Sequence, residues 1–260
     1  MENKPRIIGN ICEFCGIPAE DCRHFGKPFA PEAEAQREID NATHNVLDYG
    51  VPNEKIADII IPHHNRHDML ERLLGFIDLS IFNVLVIAGG SFGRNCNKGS
   101  YMAETNRLIF ANDDIVISNE QLIKIANSLD DYQLVGSTQI SGSKRKKYWG
   151  IGLFRDKGKI KHSIALERQD SIFPSGFLFG IQKEVWAKLG GFSEIYRTGN
   201  EDVDFGLRAL ELGVKMKMLD LEIEHNESQS SCRFKYCDVN EALFYSSWGN
   251  KLEEFYNKTR

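Results

Sequence analysis

Residues 58–66 read Asp-Ile-Ile-Ile-Pro-His-His-Asn-Arg, so three branched apolar residues run directly into a proline and a polar cluster. Such a run predicts a buried β-strand that ends at the proline, because proline cannot donate to a sheet ladder. Two similar runs, Val84–Ala88 and Arg107–Ala111, end in glycine or in acidic turn residues. A helical stripe over Asp68–Leu79 separates the first two runs. This alternation predicts an α/β fold, with a mostly parallel sheet and helices on both faces.

The later part of the chain adds further predicted elements. Ser118-Asn119-Glu120-Gln121 has the spacing of a capping box and predicts the start of a helix, which a short strand at Leu134-Val135 follows. Asn200 is a candidate N-cap for a helix that Gly213 closes. Between these elements, Ser137–Phe173 is predicted to be irregular apart from a hairpin around Gly150–Ile164.

Composition excludes several classes of protein. The 260 residues are 42% hydrophobic and 27% charged, which is typical of globular proteins and not of disordered or fibrous chains. The net charge of −5 argues against a general nucleic-acid coat protein. The apolar runs are far shorter than the roughly 20 residues of a membrane-spanning helix. No apolar segment follows the first charged residues, so we expect no secretory signal and a cytoplasmic location.

The pattern divides the chain into three parts. Residues 1–50 form a Cys- and His-containing segment with a predicted helix over Pro31–Tyr49. Residues 51–226 form the α/β domain, and residues 227–260 are expected to be a helical extension packed on that domain.

The N-terminal part contains four residues of the types that bind Zn²⁺ tetrahedrally: Cys12, Cys15, Cys22 and His24. We expect a structural zinc site, since the segment has few apolar residues to stabilise it otherwise. Two alternatives stay open. Cys12 and Cys15 could instead share a site with Cys232 and Cys237, or the cysteines could be free thiols beside a surface histidine.

Acidic residues cluster at two places where an α/β sheet binds ligands. Asn112-Asp113-Asp114 follows the third predicted strand, and ligands bind at the carboxyl ends of such strands. Carboxylate oxygens there suit Mg²⁺ or Mn²⁺, although Asn and Asp are also common in simple capping turns. Glu201-Asp202-Val203-Asp204 begins the helix after Asn200. A carboxylate of its first turn that faces a cleft can act as general base, and the alternative is that these acids only stabilise the helix dipole.

The order and spacing of these motifs over residues 57–226 resemble glycosyltransferases of family two, which have the GT-A fold. The strand of residues 58–66 matches that family's pattern of an apolar strand, Pro, two residues, Asn and Arg. The other matching segments are Asn97-Lys98-Gly99 with Ala103, Phe110–Ile115, Ser175–Phe179 with Gly190–Glu194, Gly199–Phe205 with Arg208 and Gly213, and His225.

The chain departs from the family pattern at four positions. The turn Ala88–Ser91 lacks the acidic residue with which the family contacts the nucleotide base. Asn112 stands at the first position of the Asp-x-Asp motif, and Ser193 stands where the family often has Asp. His63 and His64 follow the first strand where Thr and an aromatic residue are more common.

The resemblance implies a Rossmann-like GT-A domain that transfers a sugar from a UDP-, GDP- or dTDP-sugar to a saccharide or other hydroxyl acceptor, with inversion. Asp114 and His225 would hold Mn²⁺ or Mg²⁺, Asp202 would be the general base, and Glu201 would support it or orient the acceptor. Gly176 would contact the acceptor, and Trp149, at the end of a basic run outside the family motifs, is a further candidate for that contact. The implied donor-binding residues are Pro62, His63, Asn65, Arg66, Asn97, Lys98, Asn112 and Asp113.

One basic run, Ser143–Trp149, is read either as a solvated loop or as an acceptor-side loop. Two alternative functions follow from the same motifs. The enzyme could glycosylate a DNA or RNA base after docking through the zinc segment, or the domain could be an inactive module that binds nucleotide sugars. Because the net charge is −5, the acceptor is expected to be a saccharide or another hydroxyl compound, with nucleic acid as the less favoured partner. No membrane span is expected.

Overall fold

The computed structural model of the protein describes residues 55–64, 67–141, 146–197, 199–226 and 236–260, together with strands β1 (Ile7–Ile8) and β2 (Ile11–Cys12). The other strands are β3 (Ala57–Pro62), β4 (Phe82–Ile87), β5 (Arg107–Ala111), β6 (Ile115–Val116), β7 (Leu134–Ser141), β8 (Lys147–Tyr148), β9 (Ile151–Asp156), β10 (Lys159–Ile164), β11 (Leu178–Gln182) and β12 (Met216–His225). The helices are α1 (His67–Leu74), α2 (Phe92–Met102), α3 (Asn119–Ser128), α4 (Lys183–Leu189), α5 (Glu201–Glu211), α6 (Cys237–Trp248) and α7 (Leu252–Lys258). The helix predicted for Pro31–Tyr49 lies outside the described residues.

The main sheet has eight strands in the order β4-β3-β5-β11-β7-β12-β6, with β8 beside β7. Strands β3, β4, β5, β7 and β12 run in one direction, and β6, β8 and β11 run against them. The predicted α/β class and mostly parallel sheet are therefore confirmed. The antiparallel β11 in the middle of the sheet was not predicted.

Alternate residues of the central strands point to opposite faces of the sheet, and helices cover both faces. Ile59 and Ile109 pack in one apolar cluster with residues of α1 and α3. Ile60 and Phe110 pack in a second cluster with residues of α2, α4 and α5. The same alternation explains why β3 is apolar without interruption, because both of its faces are buried.

Two predicted boundaries were wrong. The first helix ends at Leu74, before Gly75, and not at Leu79. The segment Ser137–Phe173 contains the predicted hairpin, formed by β9 and β10, but it also contains the second half of β7 and the strand β8, which were predicted to be irregular. Polar residues 137–139 hid the strand, because buried strands are usually apolar while these three residues are buried and polar.

The C-terminal helices α6 and α7 pack on α5 and on the β9–β10 hairpin through a third apolar cluster, which includes Phe244 and Trp248. Trp248 also donates its indole N–H to Oδ1 of the buried Asp204, at 2.9 Å. This contact ties the C-terminal helices to the first turn of α5. Among the described residues the longest helix is α6, with 12 residues, and none of these helices has the length and apolar character needed to cross a lipid bilayer.

Candidate functional site

The carboxyl ends of β3 and β5 lie side by side and carry the first histidine–aspartate pair. Ile60 lies opposite Phe110 in this register, so the residues that follow bring His63 next to Asp113. Nδ1 of the buried His63 lies 2.6 Å from Oδ2 of Asp113. On its other side, His63 Nε2 lies 3.3 Å from Nδ1 of His67, the first residue of α1. The carboxylate of Asp113 thus fixes the ring of His63 through Nδ1.

A second pair joins the end of β5 to the end of β12. Strand β6 pairs antiparallel with β12, and Ile115 lies opposite His225. This register brings Asp114 next to His225, with Nε2 of the histidine 3.1 Å from Oδ1 of the aspartate. The backbone N–H of Asn226 donates to the backbone oxygen of Asp114 at 3.0 Å, so the two segments are also joined through the main chain. Two residues more than a hundred positions apart in the sequence therefore meet at one edge of the sheet.

The hydrogen bonds of His225 assign its tautomer. Its Nδ1 lies 3.0 Å from Oε1 of Gln139, and a carboxamide oxygen can only accept, so Nδ1 carries the proton. Nε2 accepts from the amide of Asn112 at 3.3 Å. The ring of Phe177 stacks against the imidazole, with centroids 5.1 Å apart. Nε2 of His225 therefore carries a lone pair, and its neighbours are the side-chain amide of Asn112 and Oδ1 of Asp114.

The donor set of this pair fits a divalent cation. Two electron-rich atoms, His225 Nε2 and Asp114 Oδ1, lie 3.1 Å apart, and Oδ1 is buried and accepts no hydrogen bond from the described residues. Adjacent ligands of an octahedral ion at roughly 2.1 Å are about 3.0 Å apart. Neutral imidazole and carboxylate are both ligands of Mn²⁺. The pair supplies two ligands, and the described part of the chain holds no group of three or more His, Cys, Asp or Glu residues arranged for a metal.

The predicted zinc site cannot be compared with the structure. Cys15, Cys22, His24 and the alternative ligand Cys232 lie outside the described residues, and for Cys12 the structure describes the backbone strand alone. Cys237 is exposed on α6. Structural zinc stays a prediction.

Asp202, the predicted general base, lies in the first turn of α5 with both carboxylate oxygens held. Its Oδ2 accepts the backbone N–H of Gly176 at 2.9 Å, and its Oδ1 accepts the N–H of Val203 at 2.9 Å. Gly176 packs closely against this carboxylate, since a Cβ there would lie 3.1 Å from the Cβ of Asp202 and would press on it. The next residue, Phe177, accepts the N–H of Asn112 at 2.9 Å. Segment 176–177 thus connects Asp202 to the edge that carries both histidine–aspartate pairs.

The other two acids in the first turn of α5 have different surroundings. Asp204 is buried and accepts a hydrogen bond on both oxygens, from Trp248 on Oδ1 and from Nε of Arg208 on Oδ2 at 2.9 Å, and Nη2 of Arg208 forms an ion pair with Oδ2 at 2.8 Å. Asp204 and Arg208 stand four residues apart, so the two side chains pair along one face of α5. Glu201 is buried beside Cys96 of α2, and burial, followed by the charge of Glu201, raises the pKa of the Cys96 thiol well above its ordinary value.

The remaining predicted donor residues are scattered. Pro62 is buried at the end of β3, and Lys98 is exposed on α2. The Asn97 amide bonds to both backbone groups of Phe192 at 2.9 Å and to Glu194 at 3.0 Å, so it ties α2 to the loop after α4. Asn65 and Arg66 lie outside the described residues. The structure gathers His63, Asn112 and Asp113 at the sheet edge and uses Asn97 in packing.

Trp149, a predicted acceptor residue, is flanked by two cations. Its ring centroid lies 4.9 Å from Nζ of Lys147 and 5.5 Å from the guanidinium carbon of Arg168. Its backbone oxygen accepts the hydroxyl of Ser171, near the chain that leads to Gly176. Sequence reasoning missed Arg168, and it missed His67 and Gln139 because their roles depend on contacts across strands and loops. If β7 had been predicted over its full length, Leu134–Ser141, Gln139 would have been recognised as a residue of the central sheet.

No protein-family model matches the chain, and no curated protein matches its sequence at a significant level. The fold and the site define an α/β protein with carboxylates and imidazoles gathered at the carboxyl edge of its sheet.

Proposed function

We propose that this protein is an inverting glycosyltransferase that moves a sugar from a nucleoside diphosphate to a hydroxyl acceptor. One observation carries the proposal: Asp114, His225 and Asp202 converge around the segment Gly176-Phe177. The backbone N–H of Gly176 donates to the carboxylate of Asp202, and the ring of Phe177 stacks on His225. The backbone N–H of Asn112, two residues before Asp114, donates to the backbone oxygen of Phe177. These are the three residues to which the resemblance gives the metal-binding and base roles. The two-sided α/β sheet is also consistent with a GT-A domain.

Asp114 and His225 are the residues that would hold a divalent metal. When bound, such an ion neutralises charge on the departing nucleoside diphosphate. Two protein ligands leave most coordination positions to water and to the diphosphate. Metal and nucleotide should therefore tighten each other's binding by the same factor.

Asp202 is the residue proposed to take the proton. Each of its oxygens accepts one backbone N–H, so the carboxylate is held in one orientation and keeps further lone pairs for an acceptor hydroxyl. As the acceptor oxygen attacks the anomeric carbon, its proton passes to Asp202 and the bond from that carbon to the diphosphate oxygen breaks. One displacement of this kind inverts the anomeric configuration. Asp204 is a poor alternative, because Arg208 and Trp248 occupy its oxygens.

The test is a donor screen that measures released nucleoside diphosphate from UDP-, GDP- and dTDP-sugars with Mn²⁺, combined with calorimetry of the nucleotides in Mn²⁺ and in EDTA. We expect one nucleotide to bind in a Mn²⁺-dependent way and its sugar to be turned over. Asp130→Asn is the matched control for variants of Asp202 and Asp114, since Asp130 is an exposed acid that pairs with Arg107 away from the site. Nucleotide binding that is equal in EDTA would contradict the metal role.

The same experiment separates the alternatives. Metal-dependent nucleotide binding without sugar release or transfer would indicate an inactive binding module. Binding to oligonucleotides that weakens steeply with salt would favour a nucleic-acid acceptor.

A further inference from the structure

Strand β12 contains a bulge a few residues before His225. Strands β7 and β12 are parallel, and Leu219 lies opposite Ser137 while Ile223 lies opposite Gln139. Three residues of β12, Asp220–Glu222, therefore stand against the single residue Thr138. Glu222 has a φ of 52°, in the left-handed region that residues other than glycine rarely adopt. A conformation of this kind persists where surrounding contacts hold it.

Thr138 makes the contacts that hold the bulge from inside. Its side chain is fully buried, and its hydroxyl accepts the backbone N–H groups of Leu221 and Glu222 at 3.1 and 2.9 Å. The same hydroxyl donates to Oδ1 of Asp220 at 3.2 Å. A threonine hydroxyl has one proton and two lone pairs, so all of its hydrogen-bonding capacity is spent on the bulge.

Lys147 holds the bulge from outside. Its ammonium group pairs with the carboxylates of Asp220 and Glu222, the two ends of the bulge. These hydrogen bonds raise the pKa of Lys147 above its ordinary value, so the bridge is charged at neutral pH. Lys147 lies on β8, directly before the segment that leads to Trp149.

The bulge decides where His225 lies. It adds two residues to β12, so without it the strand would advance His225 by about 6.6 Å past its present position. An even number of extra residues keeps the same side chains on the same face of the sheet. The displaced histidine would leave Gln139 and Asp114 while still pointing to the same side.

We propose that Thr138 and Lys147 are positioning residues that lock the β12 bulge and thereby hold His225 against Gln139 and Asp114. The importance of this position for catalysis rests on the proposed function. The position itself does not, and it can be measured without any ligand.

The direct test is a long-range ¹H–¹⁵N spectrum of the imidazoles at one fixed pH. The chain has seven histidines, and His225 is assigned by the signals that His225→Asn removes. Thr138→Val keeps the shape of the side chain and removes the hydroxyl, Thr138→Ser keeps the hydroxyl, and Thr259→Val removes a hydroxyl that bonds to Phe255 near the C-terminus. We expect the Nδ1–H tautomer of His225 in the wild type, in Thr138→Ser and in Thr259→Val, and its loss in Thr138→Val.

Unchanged His225 signals in a folded Thr138→Val variant would overturn the proposal. If that variant does not fold, Lys147→Ala carries the same test from the protein surface, where we expect a smaller shift of the same signals. His225 signals that are unchanged in Lys147→Ala would then overturn it.

Calorimetry with UDP, GDP and dTDP links the bulge to the metal. If the wild type binds one of these nucleotides more tightly in Mn²⁺ than in EDTA, we expect Thr138→Val to lose at least ~10-fold of that tightening and Thr138→Ser to retain it. Full tightening in Thr138→Val would overturn the positioning role. If the wild type itself shows no effect of Mn²⁺, the proposed function fails, and the imidazole spectra alone decide whether Thr138 positions His225.

Discussion

Two histidine–aspartate pairs lie next to each other at the sheet edge, and they differ in which ring nitrogen meets the carboxylate. In the pair of His63 and Asp113, the carboxylate lies at Nδ1, at 2.6 Å. In the pair of His225 and Asp114, Nδ1 is already bonded to Gln139, and Nε2 faces the carboxylate at 3.1 Å. In the first pair a hydrogen bond orients the imidazole ring. In the second pair the two facing atoms, His225 Nε2 and Asp114 Oδ1, are suited to act as ligands of a cation. The partner of the other ring nitrogen, His67 for His63 and Gln139 for His225, therefore decides what the paired aspartate does.

The largest effect should come from Asp202, which belongs to neither pair. Asp202→Asn should preserve folding and nucleotide binding and reduce sugar transfer by at least ~10²-fold, because loss of a general base removes that much. Steady-state transfer and calorimetry on the same preparation measure both quantities. Transfer at a near wild-type rate would rule out Asp202 as the base and leave Glu201 as the candidate.

Replacing each of the two aspartates in turn by alanine tests the comparison directly. Asp114→Ala should abolish the tightening of nucleotide binding by Mn²⁺, which we expect to be between about 5- and 150-fold in the wild type. Asp113→Ala should retain that tightening, since its carboxylate contacts His63 and the backbone of His64. His225→Ala should weaken the tightening less than Asp114→Ala, because a neutral ligand contributes less than a carboxylate. Equal losses in the two aspartate variants would show that both pairs act as one site.

Gln139 gives a sharper test of the tautomer argument. Gln139→Leu removes the acceptor for Nδ1–H of His225, and losing such an outer partner typically costs roughly 10- to 100-fold in metal affinity. Gln139→Glu provides another acceptor and should recover most of the affinity. Mn²⁺ titration followed by electron paramagnetic resonance measures the change. If Gln139→Leu binds Mn²⁺ like the wild type, the ring of His225 does not need this partner.

A small pH effect should arise from His162, which packs edge-on against Phe244. Burial lowers its pKa below the ordinary 6.5, and the charges of Asp202 and Glu241 act in the opposite direction. The unfolded chain therefore binds more protons between the lowered pKa and about 6.5, so stability falls as the pH drops through that range. His162→Gln should flatten this part of a pH series of unfolding midpoints, and an unchanged slope would assign it to other groups.

Local patterns in the sequence were sufficient for much of the fold. The apolar run before Pro62 and the run Arg107–Ala111 become β3 and β5, the capping box at Ser118 begins α3, and the hairpin near Gly150 forms. These features depend on neighbouring residues and on alternation, which a sequence displays directly. Strand β7 was largely missed, because its polar residues 137–139 are buried by partners that are distant in sequence.

The sequence alone was enough to predict the class of fold from alternating strands and helices, and to predict that the first acidic cluster lies at the carboxyl end of a strand, where ligands bind. It also determined that Asp114 and His225 were candidates for one site. Three features became visible in the folded chain alone: His63 contacts Asp113, Gln139 fixes the tautomer of His225, and a bulge held by Thr138 sets the position of His225. These three outcomes depend on strand register, and register is set by long-range pairing that no local pattern encodes.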